Sequence, residues 1–202
     1  MDQDRELVDR VIKGDYNAFE LLVEKHQGRI YRHLRKMVKD YDMAEDLLQE
    51  TFLSAYKGLA TFSGNSSFAT WLFRIATNAA LMFLRKHKPD SVQYDDELRL
   101  RARADQASAS PEFADTPLEL LLSDEGRRTI EKAIDELPLM YRTVLMLRDV
   151  EGFSVREVSK ITDSSISAIK SRLHRARHSV REALNSYYAE RDIYVRRGAT
   201  AK

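Results

Sequence analysis

Residues 154–184 read SVREVSKITDSSISAIKSRLHRARHSVREAL, and the reading of this stretch decides the fold. Ser154 and, three residues on, Glu157 have the spacing of a capping box, which opens a short helix. Val155, Val158 and Ile161 give that helix an apolar stripe, and the turn and cap formers Thr162, Asp163, Ser164 and Ser165 end it. A longer helix follows, carrying Ile166, Ile169, Leu173, Ala176, Val180 and Leu184. Their steps of 3, 4, 3, 4 and 4 make one narrow buried face. Ser167, Ala168, Ser171, Arg175 and His178 point away from it, flanked by Lys170 and Arg177 on one side and Arg172 on the other. From Ser164 to Arg181 the charged residues are Lys170, Arg172, Arg175, Arg177 and Arg181, without one Asp or Glu. A solvated helix ordinarily mixes signs for pairing and solubility. One sign behind a short capped helix predicts a helix-turn-helix whose second helix enters the major groove of duplex DNA. Small residues near its N-terminus admit base edges, and the arginines reach guanines or phosphates.

The rest of the composition is compatible with that reading. The chain has 202 residues, 43% hydrophobic and 32% charged, with 7 Gly and 4 Pro, which fits a mostly helical protein of one large or two small domains. It has no cysteine, which excludes disulfides, thiol catalysis and cysteine-ligated zinc. The first residues are acidic and polar, unlike a signal peptide. The most apolar run, Phe68 to Leu84, is broken by Arg74 and Asn78 and is short for a membrane span. A cytoplasmic protein with no membrane insertion is therefore expected. The net charge is only +1, but residues 164–202 hold 9 basic and 3 acidic side chains. Positive charge is thus concentrated where phosphate binding requires it.

Along the chain, Leu7, Val8, Val11 and Ile12 mark a first short helix, ended by Gly14. A second starts near Asn17, and a third runs from about Met43 to Leu59 with Glu45, Asp46, Gln49 and Glu50 on its outer side. TFSGNSS, residues 61–67, is a loop by composition. The fourth helix, from about Phe68 to Lys88, is apolar nearly all round, with Phe68, Trp71, Leu72, Ile75, Ala79 and Met82 expected on one buried face. The loop before it sets small polar residues between Phe62 and Phe68, the setting on which single-stranded bases stack. Residues 89–117 lack a sustained apolar period and read as a flexible linker. A second helical domain begins at Leu118, and Pro138 opens its second helix. The predicted architecture is all-α: a domain over 1–88, the linker over 89–117, a helix-turn-helix domain over 118–190 and a basic, fraying tail over 191–202.

In this order, AFELLVEKHQGRIYRHL, DMAEDLLQETFLSAYKGL, FSGNSSFATWLFRIATNAALMFLRK, LPLMYRTVLMLRDVEGFSVREVSKI and SAIKSRLHRARHSVREAL make a pattern. The chain resembles bacterial sigma factors of the sigma-70 superfamily, extracytoplasmic-function group, over roughly residues 5–187. The resemblance implies two helical domains, the second and fourth sigma domains, that bind the RNA polymerase core and direct it to promoter DNA. It implies that the fourth domain reads the −35 element as duplex, while the second reads and melts the −10 element. The family's Asp-x-x-Gln-Glu pattern, which docks on a coiled coil of the largest core subunit, falls on Asp46, Gln49 and Glu50. Its −10 base capture falls on Phe62, Ser63, Gly64, Asn65, Ser66, Ser67 and Asn78. Its recognition-helix contacts fall on Lys170, Ser171 and Arg175, and the basic face adds Ser167, Arg172, Arg177 and Arg181 to the −35 surface. Many relatives are held inactive by an anti-sigma factor, so such a partner is expected here. Ser159, Ser167 and Ala168 stand where the family often has Ala, Gly and Thr, and the turn lacks its usual Gly. The promoter sequence therefore does not carry over.

Two other readings stand beside this one. A dimeric helix-turn-helix regulator independent of polymerase would account for residues 118–187 but not for 15–88. An enzyme would need a site. His174 and His178 are spaced for a shared metal but lie on the basic helix with no carboxylate between them, and Ser66 and Ser67 lack a His or Lys partner. No catalytic residue, metal or cofactor is expected.

Overall fold

The computed structural model describes residues 3–87 and 124–199. The predicted linker, and the expected start of the second domain at Leu118, lie outside the described residues.

The N-terminal half is built from four helices: α1 (Gln3–Ile12), α2 (Tyr16–Val38), α3 (Tyr41–Gly58) and α4 (Phe68–His87). Short polar side chains set their starts. The Asp15 carboxylate accepts the Ala18 N–H at 3.3 Å and opens α2; that of Asp40 accepts the Met43 N–H at 3.1 Å and opens α3. The Ser67 hydroxyl accepts the Thr70 N–H at 3.1 Å in the first turn of α4. Each such cap is worth about 1 kcal/mol. The bundle core holds Leu22, Ile30 and Leu34 of α2, Ala44 and Ala55 of α3, and Leu72, Phe73, Ala76 and Ala80 of α4. Of the face expected to be buried on α4, Phe68 and Leu72 are buried, but the rest of the buried face is turned from it. The buried face runs through Leu72, Phe73, Ala76, Thr77, Ala80 and Leu84, while Trp71 and Ile75 are half-buried and Met82 is 69% exposed. Nearly continuous apolarity had hidden which side faces inward. α1 is latched onto α2 by buried Asp4, which meets His26 at 2.9 Å and Lys25 at 2.7 Å.

The C-terminal half comprises α5 (Asp124–Glu136), α6 (Leu139–Leu145), α7 (Val155–Thr162) and α8 (Ile166–Ala199). α6 continues as a π-turn over Met146–Val150. Pro138 caps α6, as its fixed φ and missing N–H allow. The capping box of α7 has both bonds: Ser154 N–H to the Glu157 carboxylate at 2.8 Å, and Glu157 N–H to the Ser154 hydroxyl at 3.2 Å. Asp163 takes the left-handed conformation that ends α7 (φ +50°), one of the few side chains besides Gly that tolerate it. α8 extends as helix to Ala199, past the point at which fraying was expected. No described residue forms a strand.

The halves pack against each other. α4 lies along α7 and α2 along α6, so apolar residues of both halves join one core. Phe73 meets Phe153 edge-on at 4.9 Å, and the Arg29 guanidinium lies within 5.4 Å and 5.8 Å of those two rings. Arg29 also donates to the Glu151 carboxylate at 2.7 Å and to its backbone carbonyl at 3.0 Å. Lys36 reaches Asp135 at 3.1 Å, and buried Arg142 donates to the Met37 carbonyl at 3.4 Å. Behind this seam, buried His33 hydrogen-bonds Thr77 at 2.9 Å and tilts against Phe73. Burial holds its imidazole down at about 4.

Candidate nucleic-acid and polymerase interfaces

The loop between α3 and α4 starts from a 3₁₀ turn, Leu59–Thr61. Its base is aromatic: Phe62 packs edge-on against Phe68 at 6.3 Å and against Trp71 at 5.0 Å. Trp71 lies over Gly58, where an added Cβ would come within 3.2 Å of its ring, so a larger residue would displace the indole. Gly64 has φ +68°, which a side chain would strain. The result is an open cavity of about 340 Å³ lined by Thr61, Phe62, Ser63, Asn65, Ser66, Thr70, Trp71, Arg74 and Lys160. An aromatic wall, small hydroxyls and the Arg74 guanidinium can receive a flat, hydrogen-bonding ring next to a phosphate.

Four expected −10 residues line this cavity: Phe62, Ser63, Asn65 and Ser66. Gly64 shapes the loop. The Ser67 hydroxyl is committed to the first turn of α4 and meets the Thr70 hydroxyl at 2.8 Å. Asn78 is exposed and not among the lining residues; it follows Arg74 by one turn, about 6 Å along α4. Trp71 and Arg74 were missed as site residues. Their signal was the single Trp and the lone Arg within the apolar run just after the loop. Lys160 could not have been found, because the fold brings it from α7: its ammonium donates to the Asn65 carbonyl at 3.1 Å. Beside it the Thr70 hydroxyl donates to Glu157 at 3.1 Å. The first helix of the helix-turn-helix therefore stands over one side of the loop.

On α8, Ser165 caps the helix by accepting the Ala168 N–H at 3.2 Å, and Ser167 lies 3.0 Å from the Ser165 hydroxyl. Ile169, Leu173 and Ala176 are buried as expected, whereas Ile166 is largely exposed. Ser167, Lys170 and Ser171 are exposed and Arg175 is half-buried. Two expected contacts have partners in the protein. Arg172 donates to Ser164 at 3.1 Å, and Arg177 grips Asp149 with two bonds of 2.9 and 2.6 Å, which raise its pKa. Lys170, His174, Arg177, His178 and Arg181 line a basic cleft of about 400 Å³ with Arg148. Such a cleft suits a phosphate backbone.

On α3, Asp46, Gln49 and Glu50 are all exposed, on one face by their i, i+3, i+4 spacing. Leu53, one turn on, is exposed too.

No described helix is long and apolar enough to cross a membrane. Among the described residues no three His, Asp or Glu gather to hold a metal.

Known proteins match both halves. The Sigma-70 region 2 profile matches residues 22–89, and the Sigma-70, region 4 profile matches residues 127–179. The chain is 35% identical over 192 residues to the RNA polymerase sigma-H factor of Pseudomonas aeruginosa, covering 94% of this chain and 97% of that one. It is also 35% identical over 179 residues to the ECF RNA polymerase sigma-E factor of Escherichia coli K12, covering 88% and 92%. Among solved structures, CnrH in complex with the cytosolic domain of CnrY has the same fold (TM-score 0.62, 23% identity, 91% of this chain and 97% of that one). So has the sigma factor RpoE of Bartonella quintana in complex with the anti-sigma factor NepR (TM-score 0.61, 23% identity, 83% and 96%). A stand-alone dimeric regulator leaves the region 2 match unexplained and is not favoured. The chain belongs to the extracytoplasmic-function group of sigma-70 factors and is an alternative sigma factor that directs transcription initiation.

Proposed function

We propose that α8 reads the −35 duplex, that the Phe62–Ser66 loop with Trp71 and Arg74 captures an unstacked −10 base, and that α3 docks on the polymerase core. The observation that carries this reading is the aromatic, cation-edged cavity at the start of α4, which suits a base and not a folded protein surface. Arg175, opposite the buried stripe and without a protein hydrogen bond among those of the described residues, is assigned to a base edge. Arg181, in the basic cleft, is assigned to a phosphate. Arg177 and Arg172 support the helix before they serve DNA. Asn78, on the solvent side of α4, is assigned to the single strand beyond the captured base.

This function requires the halves to part. The −35 and −10 elements lie about 25 base pairs apart, about 85 Å of B-form duplex at about 3.4 Å per pair. A folded body of this length has a radius of gyration of only about 17 Å. With Lys160 on the −10 loop, one closed molecule cannot read both elements. The residues between the described halves, 88–123, can extend to about 120 Å, enough for the separation. The chain works in the cytoplasm, where the core is, and requires no cofactor or catalytic residue of its own. Because CnrH and RpoE were solved with protein partners, an anti-sigma factor is proposed here too, holding the closed form.

Run-off transcription with purified core polymerase on genomic fragments tests the reading. Discrete start sites that depend on this protein are expected. Tight, specific duplex binding by the protein alone, with no start sites, would contradict it.

A further inference from the structure

The one-sign pattern that marks α8 recurs on α2, where no role above absorbs it. From Lys25 to Lys39 the charged side chains are Lys25, Arg29, Arg32, Arg35, Lys36 and Lys39, without one Asp or Glu. Arg35 lies apart, its guanidinium 3.4 Å from the Tyr41 ring centre. The other five follow steps of 4, 3, 4 and 3, which sets them in one row along the helix. In the closed molecule the C-terminal half supplies this row with oxygen acceptors. Glu151 takes Arg29 on its carboxylate and its carbonyl; Asp135 takes Lys36 on its carboxylate and Lys39 on its carbonyl. The Glu151 side chain is only 4% exposed, so its charge is withdrawn from water to meet Arg29. Lys25 is held within its own half by Asp4. Arg32, mid-row, has no hydrogen bond or ion pair among those of the described residues. The half that sets Glu151 on Arg29 also sets Lys160 on the −10 loop, so row and loop share one face of the bundle. Lys39 lines a cleft with Leu84, next to exposed Arg85 and Lys86, so the row ends beside the basic end of α4.

We propose that Arg29, Arg32, Lys36 and Lys39 form a phosphate-binding row for the promoter duplex that runs upstream of the captured −10 base, and that Glu151 and Asp135 occupy it in the closed molecule in place of phosphates. The ligand is a sugar–phosphate backbone, bound for its charge and not for its sequence. From Arg29 to Lys39 the row is about 15 Å long at about 1.5 Å per residue, the length of about four base-pair steps. Four cations on one face repel one another until anions relieve them. Carboxylates do so while the halves are closed, and phosphates once they part. A latch alone accounts for Arg29, Lys36 and Lys39 but not for Arg32. This inference rests on the reading of the loop as the −10 site and on the parting of the halves, and adds a duplex contact to it.

The test titrates holoenzyme, core polymerase with the full-length chain, against a fluorescent promoter duplex found by run-off transcription, over a series of KCl concentrations. Core affinity and the melting temperature of each free variant are measured alongside. Arg32→Ala should lower the slope of log affinity against log salt by about 0.9 and weaken promoter binding about fivefold at about 0.15 M salt. Arg32→Ala/Lys36→Ala should lower the slope by about 1.8 and weaken binding about thirtyfold. Core affinity should stay that of the parent protein. Arg29 and Glu151 separate binding from latching, because Arg29→Ala and Glu151→Gln disrupt the same ion pair. A latch alone would move promoter binding in one direction for both. The proposal expects Arg29→Ala to weaken it about fivefold and Glu151→Gln to leave it at or above the parent level. Equal shifts in those two, or an unchanged salt slope in the Arg32 variants, would overturn the row while the −10 and −35 readings stand on their start sites. A parent holoenzyme that binds no promoter duplex would remove those readings and the row together.

Discussion

The −10 loop and the outer face of α3 belong to the same four-helix bundle, and they differ in what covers them. The loop meets Lys160, and beside it Thr70 is bonded to Glu157; Lys160 and Glu157 both come from α7. The α3 face has acidic and apolar residues turned to solvent, and among the described residues no hydrogen bond or ion pair ties it to the other half. If the proposed roles hold, the difference sets an order of events: docking on the core is open to the closed molecule, whereas base capture waits until the halves separate.

The seam makes the largest expected effect. Phe153→Ala removes the ring that meets Phe73 and Arg29, at about 3–5 kcal/mol for a buried Phe. One cooperative unfolding transition should become two, read by thermal denaturation with far- and near-UV signals. An unchanged single transition would show that the covered loop does not depend on this seam.

Acid should act on the same covered side. His33, held at about 4 against an ordinary 6.5, keeps the folded state from taking a proton that the unfolded chain accepts. Its stability is therefore complete above about pH 6.5 and is lost as pH falls toward 4, at a cost of about 3 kcal/mol at about 1.4 kcal/mol per unit. His26 adds to this in the same direction, because its burial outweighs the pull of Asp4. Urea midpoints between pH 7 and 4 measure the loss, and His33→Gln should flatten it. An equally steep loss in that variant would remove His33 from the account.

On the DNA-reading side, Arg175→Ala should cost about 1–3 kcal/mol and relax one −35 position. Arg181→Ala should weaken all promoters evenly and lower the salt dependence. Identical sequence profiles for the two would erase the split between base and phosphate contacts. The smallest expected effect is that of Lys160→Ala. Losing one hydrogen bond over the loop should let the free protein bind a single-stranded −10 oligonucleotide about fivefold better. Weaker binding would instead make Lys160 a DNA contact.

How far the sequence carried the account follows the range of each interaction. Local signals carried furthest: the Ser154–Glu157 box, the Ile169–Leu173–Ala176 middle of the α8 stripe and the acidic side of α3 all lie within a few residues, though Ile166 at the stripe's start is exposed and Val180 and Leu184 are half-buried. The inward face of α4 was not legible, since Leu72, Phe73 and Ile75 are all apolar and only packing selects among them. Nor were the contacts that close the molecule. Lys160 to Asn65, Glu157 to Thr70 and Glu151 to Arg29 join residues about a hundred positions apart; Lys160 and Glu151 read locally as ordinary surface charges, and Glu157 as a cap of its own helix. The same ambiguity hid that Arg177, expected at DNA, is paired with Asp149 on the π-turn that continues α6.

The central claim is that the closed molecule must open before it can melt a promoter. The chain has no cysteine, so Asn65→Cys and Lys160→Cys provide two unique thiols for a short reducible crosslinker. Permanganate footprinting with core polymerase on a duplex promoter reads the bubble directly. The crosslinked protein should bind core and open no bubble, and reduction should restore opening to the level of the uncrosslinked double variant. Full bubble formation by the crosslinked protein would contradict the account.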